Sequence, residues 1–280
     1  MTSETLHAWC EITAQPLGQP PLIAAVAEET PVGVLYGGIP HAVMMASPAD
    51  LEDFVVGFSV TEGIIKSASD VRDITLRETA EGVELNVLLL PGAFQNFLSR
   101  RRTRNLRGNT SCGLCGVEEI ADTAAKTPQA PAGRHFTQAA VRRALAALPA
   151  HQHLHRRTRA AHAAAWVSPQ GDIRIAREDV GRHNALDKLI GAAMRSKTDL
   201  SDGFCLITSR CSFEMVQKAL MALMPAIVAI SAPTGLAVRS AEAAGLTLVA
   251  LARDDGQNVY AGAWRIDGPS VESGVGTRVS

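Results

Sequence analysis

Short apolar segments that alternate with helical patterns constrain the fold of this chain more than any other feature of its sequence. They occupy the half after residue 160. The sequence predicts strands at 173–176, 204–208, 226–231 and 246–251 and helices at 183–195, 212–223 and 236–244. Apolar strands of this kind are buried on both faces, and helical connections between them form right-handed crossovers. The pattern predicts an α/β fold with a mainly parallel sheet flanked by helices.

The first part of the chain has a different pattern. Residues 31–45 alternate around a Gly-Gly pair and indicate a β-hairpin, and residues 73–90 indicate two strands around a Glu-Gly turn. Between these segments, Ser47 is placed to cap a helix that continues to about residue 63. Strand pairs beside a helix predict a smaller α+β domain at the N-terminus.

A segment rich in Pro and Ala separates the two patterns and is typical of a linker. It covers residues 127–136, after which Thr137 is placed to cap a helix. We therefore predict an N-terminal α+β domain at 1–126, with a Cys-x-x-Cys loop at about 100–116, and an α/β domain at 137–280.

The charge and the length of the chain exclude several classes of protein. A chain of 280 residues with 46% hydrophobic residues can bury a large core, so disorder is excluded as its main state. Its formal net charge of −1 gives no overall attraction to nucleic acid or to an anionic membrane. The longest apolar run, at 219–230, is too short to span a bilayer and contains a proline. With no secretory signal pattern at the N-terminus, we expect a cytoplasmic protein.

The pair Cys112 and Cys115 is the most reactive-looking feature of the sequence. A cysteine reacts as the thiolate, which nearby positive charge or a helix N-terminus stabilises. Five arginines lie just before the pair, and no acidic residue occurs between Glu84 and Glu118. A helix is predicted to start at Val117. The surroundings of the pair therefore favour thiolate chemistry.

Three interpretations of this pair compete. A structural zinc site needs about four ligands, but the chain has no second Cys-x-x-Cys, and Cys205 lies in an apolar strand. An inert buried pair fits poorly with the Ser, Gly, Asn and Arg residues around it. Thiol chemistry is favoured, and we expect no bound metal. The motif alone leaves redox chemistry and sulfur transfer open.

Polar and basic residues follow three of the predicted strands. They include Arg182 and His183 after the first strand, Arg210 after the second, and a Ser-Ala-Pro-Thr-Gly segment after the third. In open α/β sheets the carboxyl ends of parallel strands meet at one edge, where helix N-termini can bind phosphate. Ordinary helix caps would explain any one segment, but three on one edge predict a site for a phosphate-bearing ligand.

These motifs, in this order, resemble the FdhD family, the formate dehydrogenase accessory sulfurtransferases. The resemblance extends over nearly the whole chain and is strongest in the Gly-Arg-His-Asn-Ala-Leu-Asp-Lys stretch that begins at Gly181. The segments that carry it lie at residues 28–32, 44–54, 57–64, 111–116, 177–188, 209–218 and 258–260. The resemblance implies a fold similar to cytidine deaminases, although the deaminase zinc signature is absent from this sequence.

The resemblance also implies a function. A sulfur carrier of this family accepts persulfide sulfur from a cysteine desulfurase and passes it to the molybdenum cofactor, in its bis-molybdopterin guanine dinucleotide form, for formate dehydrogenase. Cys112 matches the persulfide carrier. The residues that match the contact with the nucleotide part of the cofactor are Tyr260, Ala261, Gly262, Ala263, Trp264 and Arg265.

One departure from the family concerns a loop. Members usually have Thr-Gly-Gly before the histidine that corresponds to His162, whereas here Thr158 is followed by Arg159 and Ala160. If those glycines let the backbone approach the ligand closely, this protein must hold the loop differently, and the departure argues against contact of residues 158–162 with the cofactor. Two other functions stay open at this level: a chaperone that delivers the mature cofactor without sulfur transfer, and a dithiol oxidoreductase. The client enzyme, the role of Cys115 and the formation of a homodimer also stay open.

Overall fold

The computed structural model describes residues 7–105, 128–253 and 256–268. Its first part contains a two-stranded sheet and a four-stranded sheet of order β4-β3-β6-β5. The strands are β1 (Trp9–Ala14), β2 (Leu22–Ala27), β3 (Thr30–Tyr36), β4 (Ile39–Ala46), β5 (Val71–Glu78) and β6 (Val83–Leu89). Both predicted strand pairs are confirmed. The β3–β4 turn uses Gly37 and Gly38, both with positive φ, which suits a tight hairpin.

The first helix, α1 (Leu51–Thr61), packs its buried side against this sheet. The prediction that Ser47 caps it was wrong. The N-cap is Asp50, with φ 52°, and its side chain makes no capping hydrogen bond to any described residue. Ser47 is fully buried and instead bonds the segment after β9, described below. Its short side chain therefore serves a long-range contact in place of a local one.

The basic segment after β6 is helical as far as the structure describes it. Helix α2 (Pro91–Asn105) contains Arg100 and Arg101, which the sequence analysis assigned to a loop starting at about residue 100. Phe97 anchors it in the core. This part of the prediction was wrong because arginine is a good helix former, so a basic run is compatible with a helix. Cys112 and Cys115 lie outside the described residues.

The second part of the chain forms a six-stranded sheet of order β13-β12-β11-β10-β8-β9. Its strands are β8 (His162–Val167), β9 (Ile173–Asp179), β10 (Phe204–Ile207), β11 (Ala226–Ala229), β12 (Thr247–Arg253) and β13 (Gly256–Ala261). Only the β10–β11 and β11–β12 pairs are parallel. The prediction of a mainly parallel sheet was therefore wrong: the sheet is mixed, because β8 and β13, which the sequence analysis missed, are antiparallel to their neighbours. The likeness to cytidine deaminases stays a prediction.

Helices cover both faces of this sheet, as predicted. They are α3 (Gln138–His151), α4 (His153–Thr158), α5 (Arg182–Arg195), α6 (Phe213–Met221) and α7 (Gly235–Ala244). Helix α3 lies over one face, and its predicted cap is confirmed, since Thr137 Oγ1 accepts from the backbone N–H of Ala140 at 3.0 Å. Helices α5, α6 and α7 cover the other face together with α1. A short two-stranded sheet joins β7 (Phe136–Thr137) to β14 (Ile266–Asp267), and 3-10 turns occur at Ala68–Asp70 and Ala263–Arg265.

The N-terminal sheet and the six-stranded sheet share one hydrophobic core through helices α1 and α5. These helices cross in backbone contact at two glycines. A Cβ atom on Gly57 would lie 1.8 Å from the carbonyl oxygen of Asp187, and one on Gly191 would lie 1.8 Å from that of Asp53. Only hydrogen fits in either place, so the crossing depends on both glycines. The division into two domains stays a prediction.

Candidate functional site

The three predicted polar segments meet at one edge of the six-stranded sheet. Strands β9, β10 and β11 run in the same direction, so their carboxyl ends share this edge. A bridge between Cys211 and Pro233 joins the second segment to the third. His183 Nε2 lies 3.8 Å from Glu214 Oε2 on α6, which brings the first segment beside the second. We call Arg182, His183, Arg210, Glu214 and Lys218 the carboxyl-edge cluster.

Two polar atoms of this cluster are buried and form no hydrogen bond with any described residue. Arg182 Nε and His183 Nε2 are both buried and, within the described residues, form no hydrogen bond. A buried polar atom without a partner costs about 1–3 kcal/mol, so these two atoms mark a place where a ligand or water oxygen would be stabilising. Arg210 is exposed directly after β10. The structure thus places these basic residues at one edge of the sheet, and ligand binding there stays a prediction.

His183 is held neutral. Burial lowers its pKa to about 4, assisted by the positive charges of Arg182 and Lys218, while Glu214 opposes the shift. A neutral imidazole has one donor and one acceptor nitrogen, so His183 can donate to a ligand oxygen without adding positive charge. The cationic attraction of the cluster must come from its arginines and from Lys218.

Lys218 is fixed by a buried carboxylate. Its Nζ donates to both carboxylate oxygens of Asp187, at 2.8 and 2.7 Å, and to Thr61 Oγ1 at 3.0 Å. Burial raises the pKa of Asp187, against the influence of Lys218. Asp187 therefore pairs with a side chain of the protein itself. The sequence did not indicate Lys218 as a member of the cluster, because the pairing joins residues on different helices.

The motif from Arg177 to Lys188, which runs from the end of β9 into α5, directs most of its side chains into the protein. The Asp179 carboxylate accepts from the backbone N–H groups of Ser47 (3.0 Å) and Gly181 (2.7 Å) and from Asn184 Nδ2 (3.2 Å). Lys188 Nζ lies 2.6 Å from Asp179 Oδ2 and donates to the Ser47 carbonyl at 2.9 Å. This network ties the end of β4 to the start of α5. Within the motif, only Arg182 and His183 belong to the carboxyl-edge cluster.

The segment matched to the cofactor's nucleotide part lies at the opposite edge. Ala261 pairs with Leu248 near the start of β12, and Gly262 follows in a left-handed conformation. Ala263, Trp264 and Arg265 form the 3-10 turn, with Tyr260 partly buried before them. The structure therefore does not bring these six residues together with Arg182, His183 and Arg210.

Arg265 is used by the protein itself. Its guanidinium is buried and donates to the carbonyls of Ala132 (2.9 Å), Pro131 (3.0 Å) and Pro225 (3.0 Å) and to Thr247 Oγ1 (2.5 Å). These bonds hold the segment before α3 against the sheet. Its predicted contact with a ligand is therefore disfavoured. Trp264, in contrast, is 57% exposed and stacks on the Arg265 guanidinium, 4.0 Å from the ring centroid.

The described cysteines are poor candidates for thiolate chemistry. Burial raises the pKa of Cys211 to about 12 and that of Cys205 higher still. Cys10 is exposed, but its pKa is also raised, by desolvation and by a hydrogen bond with Glu28. A raised pKa leaves less thiolate at neutral pH. The described cysteines therefore offer no better carrier than the Cys112–Cys115 pair, whose surroundings the structure does not describe.

The loop that departs from the family is strained at Arg159. This residue ends α4 with φ 59°, in the left-handed region that glycine adopts without steric cost. His162 follows at the start of β8, and its pKa is lowered by burial and then by Arg182. The loop keeps a glycine-like conformation despite its arginine, and His162 lies close enough to Arg182 to feel its charge.

In the described ranges, no three His, Cys, Asp or Glu side chains are grouped as metal ligands would be. No helix in the same ranges combines the length and the apolar character needed to cross a membrane.

Together, the fold and the site define a mixed α/β protein with a buried polar network and a basic cluster at the carboxyl edge of its larger sheet. The chain belongs to the FdhD/NarQ family, whose model matches residues 27–267. It is 48% identical over 242 residues to the sulfur carrier protein FdhD of Xanthomonas euvesicatoria pv. vesicatoria (strain 85-10), covering 86% of this chain and 85% of the relative.

Two further comparisons agree with this assignment. The sulfur carrier protein FdhD of Variovorax paradoxus (strain S110) is 44% identical over 243 residues, 87% of each chain. The crystal structure of a formate dehydrogenase accessory protein from Desulfotalea psychrophila has the same fold. Its TM-score is 0.71 at 24% identity, covering 92% of this chain and 98% of that one.

Proposed function

We propose that this protein is a cytoplasmic sulfur carrier required for formate dehydrogenase activity. In this proposal a cysteine desulfurase supplies persulfide sulfur, Cys112 receives it, and the acceptor is the molybdenum cofactor in its bis-molybdopterin guanine dinucleotide form. Support comes from the relatives named sulfur carrier protein FdhD, which match most of this chain. The cofactor is a substrate here and not a resident group.

The observation that carries the proposal is the state of the other cysteines. Cys205 and Cys211 are buried thiols with strongly raised pKa values, and Cys10 also has a raised pKa. In the transfer step, the Cys112 thiolate attacks the terminal sulfur of the donor's persulfide. The donor's cysteine then leaves as a thiolate, and the sulfur stays on Cys112. A basic sequence before Cys112 favours the thiolate that this step requires.

A persulfide trap tests the sulfur-transfer step. After incubation with a cysteine desulfurase and cysteine, followed by alkylation, mass spectrometry should find one added sulfur on a peptide containing Cys112. Cys112→Ser should lose this sulfur and the maturation of formate dehydrogenase while keeping its circular dichroism spectrum. Cys10→Ser is the matched control and should keep both activities.

The same trap separates the proposal from its alternatives. Maturation without any sulfur on Cys112 would favour a delivery chaperone that binds the cofactor without sulfur transfer. Equal losses from Cys112→Ser and Cys115→Ser in a disulfide reductase assay would favour a dithiol oxidoreductase. A complete loss of carrier activity on Cys115→Ser would contradict a model with Cys112 as the single carrier.

For the nucleotide part of the cofactor, we propose the carboxyl-edge cluster as the site. The fit rests on the buried Arg182 Nε and His183 Nε2 atoms, which form no hydrogen bond within the described residues. It also rests on the exposed Arg210 and on the N-termini of α5 and α6 at this edge. A charged hydrogen bond contributes about 1.5–3 kcal/mol. Removing Arg182 or Arg210 should therefore weaken GDP binding by about tenfold or more.

Calorimetric titration of GDP can distinguish the two edges of the sheet. Binding at the carboxyl edge predicts that Arg182→Ala and Arg210→Ala lose affinity while Trp264→Ala does not. The opposite result would place the nucleotide on the exposed Trp264 side, as the family resemblance implies. Arg142→Ala, an exposed arginine on α3, is the control for a general loss of charge.

A further inference from the structure

A second basic region lies away from the carboxyl-edge cluster, in a cleft of about 1110 Å³ beside the edge strand β9. It is lined by residues 174–178 of β9, by α4, by the end of α5, by Ala49 and Asp50 before α1, and by Trp9. We propose that this cleft binds an extended acidic peptide segment of a partner protein. This inference does not depend on the proposed sulfur transfer.

The positive charge in the cleft is available for a ligand. Within the described residues, no carboxylate forms an ion pair with Arg156 or Arg157, and both arginines are exposed. The side-chain contact of Arg156 is with the His153 ring, Nη2 to Nδ1 at 3.0 Å, which leaves its charge uncompensated. Within the described residues, the one ion pair of Arg174 is a loose contact of 3.9 Å with Asp172, and both side chains are more than half exposed. Guanidinium groups from α4 and from β9 therefore both line the cleft.

The acidic residues of the cleft are already committed. Glu178 accepts from the backbone N–H groups of Leu154 (2.7 Å) and His155 (2.8 Å) at the start of α4. Asp50 lies 3.6 Å from Arg177, whose guanidinium is anchored on another carboxylate, that of Asp53. Neither acid is placed to neutralise Arg156, Arg157 and Arg174, so the cleft keeps a net attraction for carboxylates.

Arg157 is oriented for bidentate recognition. Its Cζ lies 3.9 Å from the centroid of the Trp9 ring, so the guanidinium is held against the indole. A stacked guanidinium keeps the N–H groups at its edge free, and these match the two oxygens of a carboxylate. The stack reduces the entropy that the side chain would lose on binding.

A peptide fits the cleft better than a phosphate group. Phosphate sites commonly use a helix N-terminus, but the two that border this cleft already face carboxylates: Glu178 at α4, and Glu52 and Asp53 in the first turn of α1. An extended chain along β9 would place alternate side chains toward the arginines.

The test uses the full chain and a fluorescein-labelled Glu-Gly repeat peptide of about eight residues, about 26 Å long when extended. Fluorescence anisotropy should show binding that weakens between about 50 and about 300 mM NaCl. The same peptide with Gln in place of Glu should bind at least about tenfold more weakly, because its charged hydrogen bonds are lost.

Variants locate the site. Peptide binding should weaken by about tenfold or more in each of two variants: the double variant Arg156→Gln/Arg157→Gln on α4 and the single variant Arg174→Gln on β9. Arg142→Gln, an exposed arginine outside the cleft, should change it less than about twofold. If the double variant has a lower melting temperature than wild type, peptide binding by Arg174→Gln alone tests the location of the site.

Three results would overturn the proposal. Equal binding of the Glu and Gln peptides would show that charge is not recognised. An equal loss in Arg142→Gln would show that only overall charge matters. Displacement of the peptide by inorganic phosphate at the same concentration of charge would identify a phosphate site.

Discussion

Replacing Lys188 with Met should destabilise the protein strongly, because it would leave the Asp179 carboxylate buried without its counter-ion. Both side chains are fully buried, with Lys188 Nζ 2.6 Å from Asp179 Oδ2. The same Nζ donates to the Ser47 carbonyl, which would keep its other bond, from the backbone N–H of Ala49 at 2.8 Å. Methionine has a similar length and no charge, so the substitution tests the charge more than the volume.

The magnitude follows from these contacts. Breaking a buried ion pair on one side costs about 3–5 kcal/mol. Asp179 would keep three neutral donors, from Ser47, Gly181 and Asn184, which favours the lower end of that range. The Ser47 carbonyl stays bonded to the backbone N–H of Ala49, so it adds no penalty for an unsatisfied acceptor. We therefore expect a loss of about 3 kcal/mol in the free energy of unfolding.

Urea unfolding followed by circular dichroism measures this loss. Lys197→Met, an exposed lysine just beyond α5, is the matched control and should stay within about 0.5 kcal/mol of wild type. The double variant Asp179→Asn/Lys188→Met should lose less than the sum of the single variants, because it leaves no unpaired charge. A loss below about 1 kcal/mol for Lys188→Met would refute the view that this pair holds β4 and α5 together.

Two further predictions concern stability. Gly57→Ala should lower the free energy of unfolding in urea by at least about 3 kcal/mol, because its Cβ would meet the Asp187 backbone. Gly92→Ala, which has open space on α2, should be neutral or slightly stabilising. Equal effects of the two substitutions would contradict the close crossing of α1 and α5. His183 has a pKa of about 4 in the folded protein and 6.5 as its ordinary value, so below pH 6.5 the unfolded chain binds a proton that the folded protein does not bind. The free energy of unfolding therefore has its full value above pH 6.5 and falls as the pH is lowered below it. Between pH 7 and pH 5, the free energy of unfolding should fall by at most about 2 kcal/mol more in wild type than in His183→Gln. The charged neighbours Arg182, Lys218 and Glu214 are the same in both proteins. Parallel pH profiles would count against a neutral, buried His183.

Several elements could be predicted because their signals are local. Thr137 begins α3 as its cap, and the Gly37-Gly38 pair turns the β3–β4 hairpin. The convergence of Arg182, His183 and Arg210 on one sheet edge could also be predicted, since parallel strands bring their carboxyl ends together. The stretch from Arg177 to Lys188 carried a strong family signal in the sequence. The sequence did not show that most of this stretch forms a buried structural network.

Tertiary structure alone decided the strand directions and the partners of the buried polar groups. Strands β8 and β13 lack a strong local pattern, so their antiparallel pairing, which makes the sheet mixed, could not be read from periodicity. Ser47 looks like a helix cap by sequence, yet its partners Asp179 and Val180 lie more than 130 residues away. Arg265 likewise looks like a ligand contact until its carbonyl partners are known. Local sequence carries backbone preferences of a few kcal/mol at most, whereas a buried charge takes whichever partner the packed fold brings within hydrogen-bonding distance.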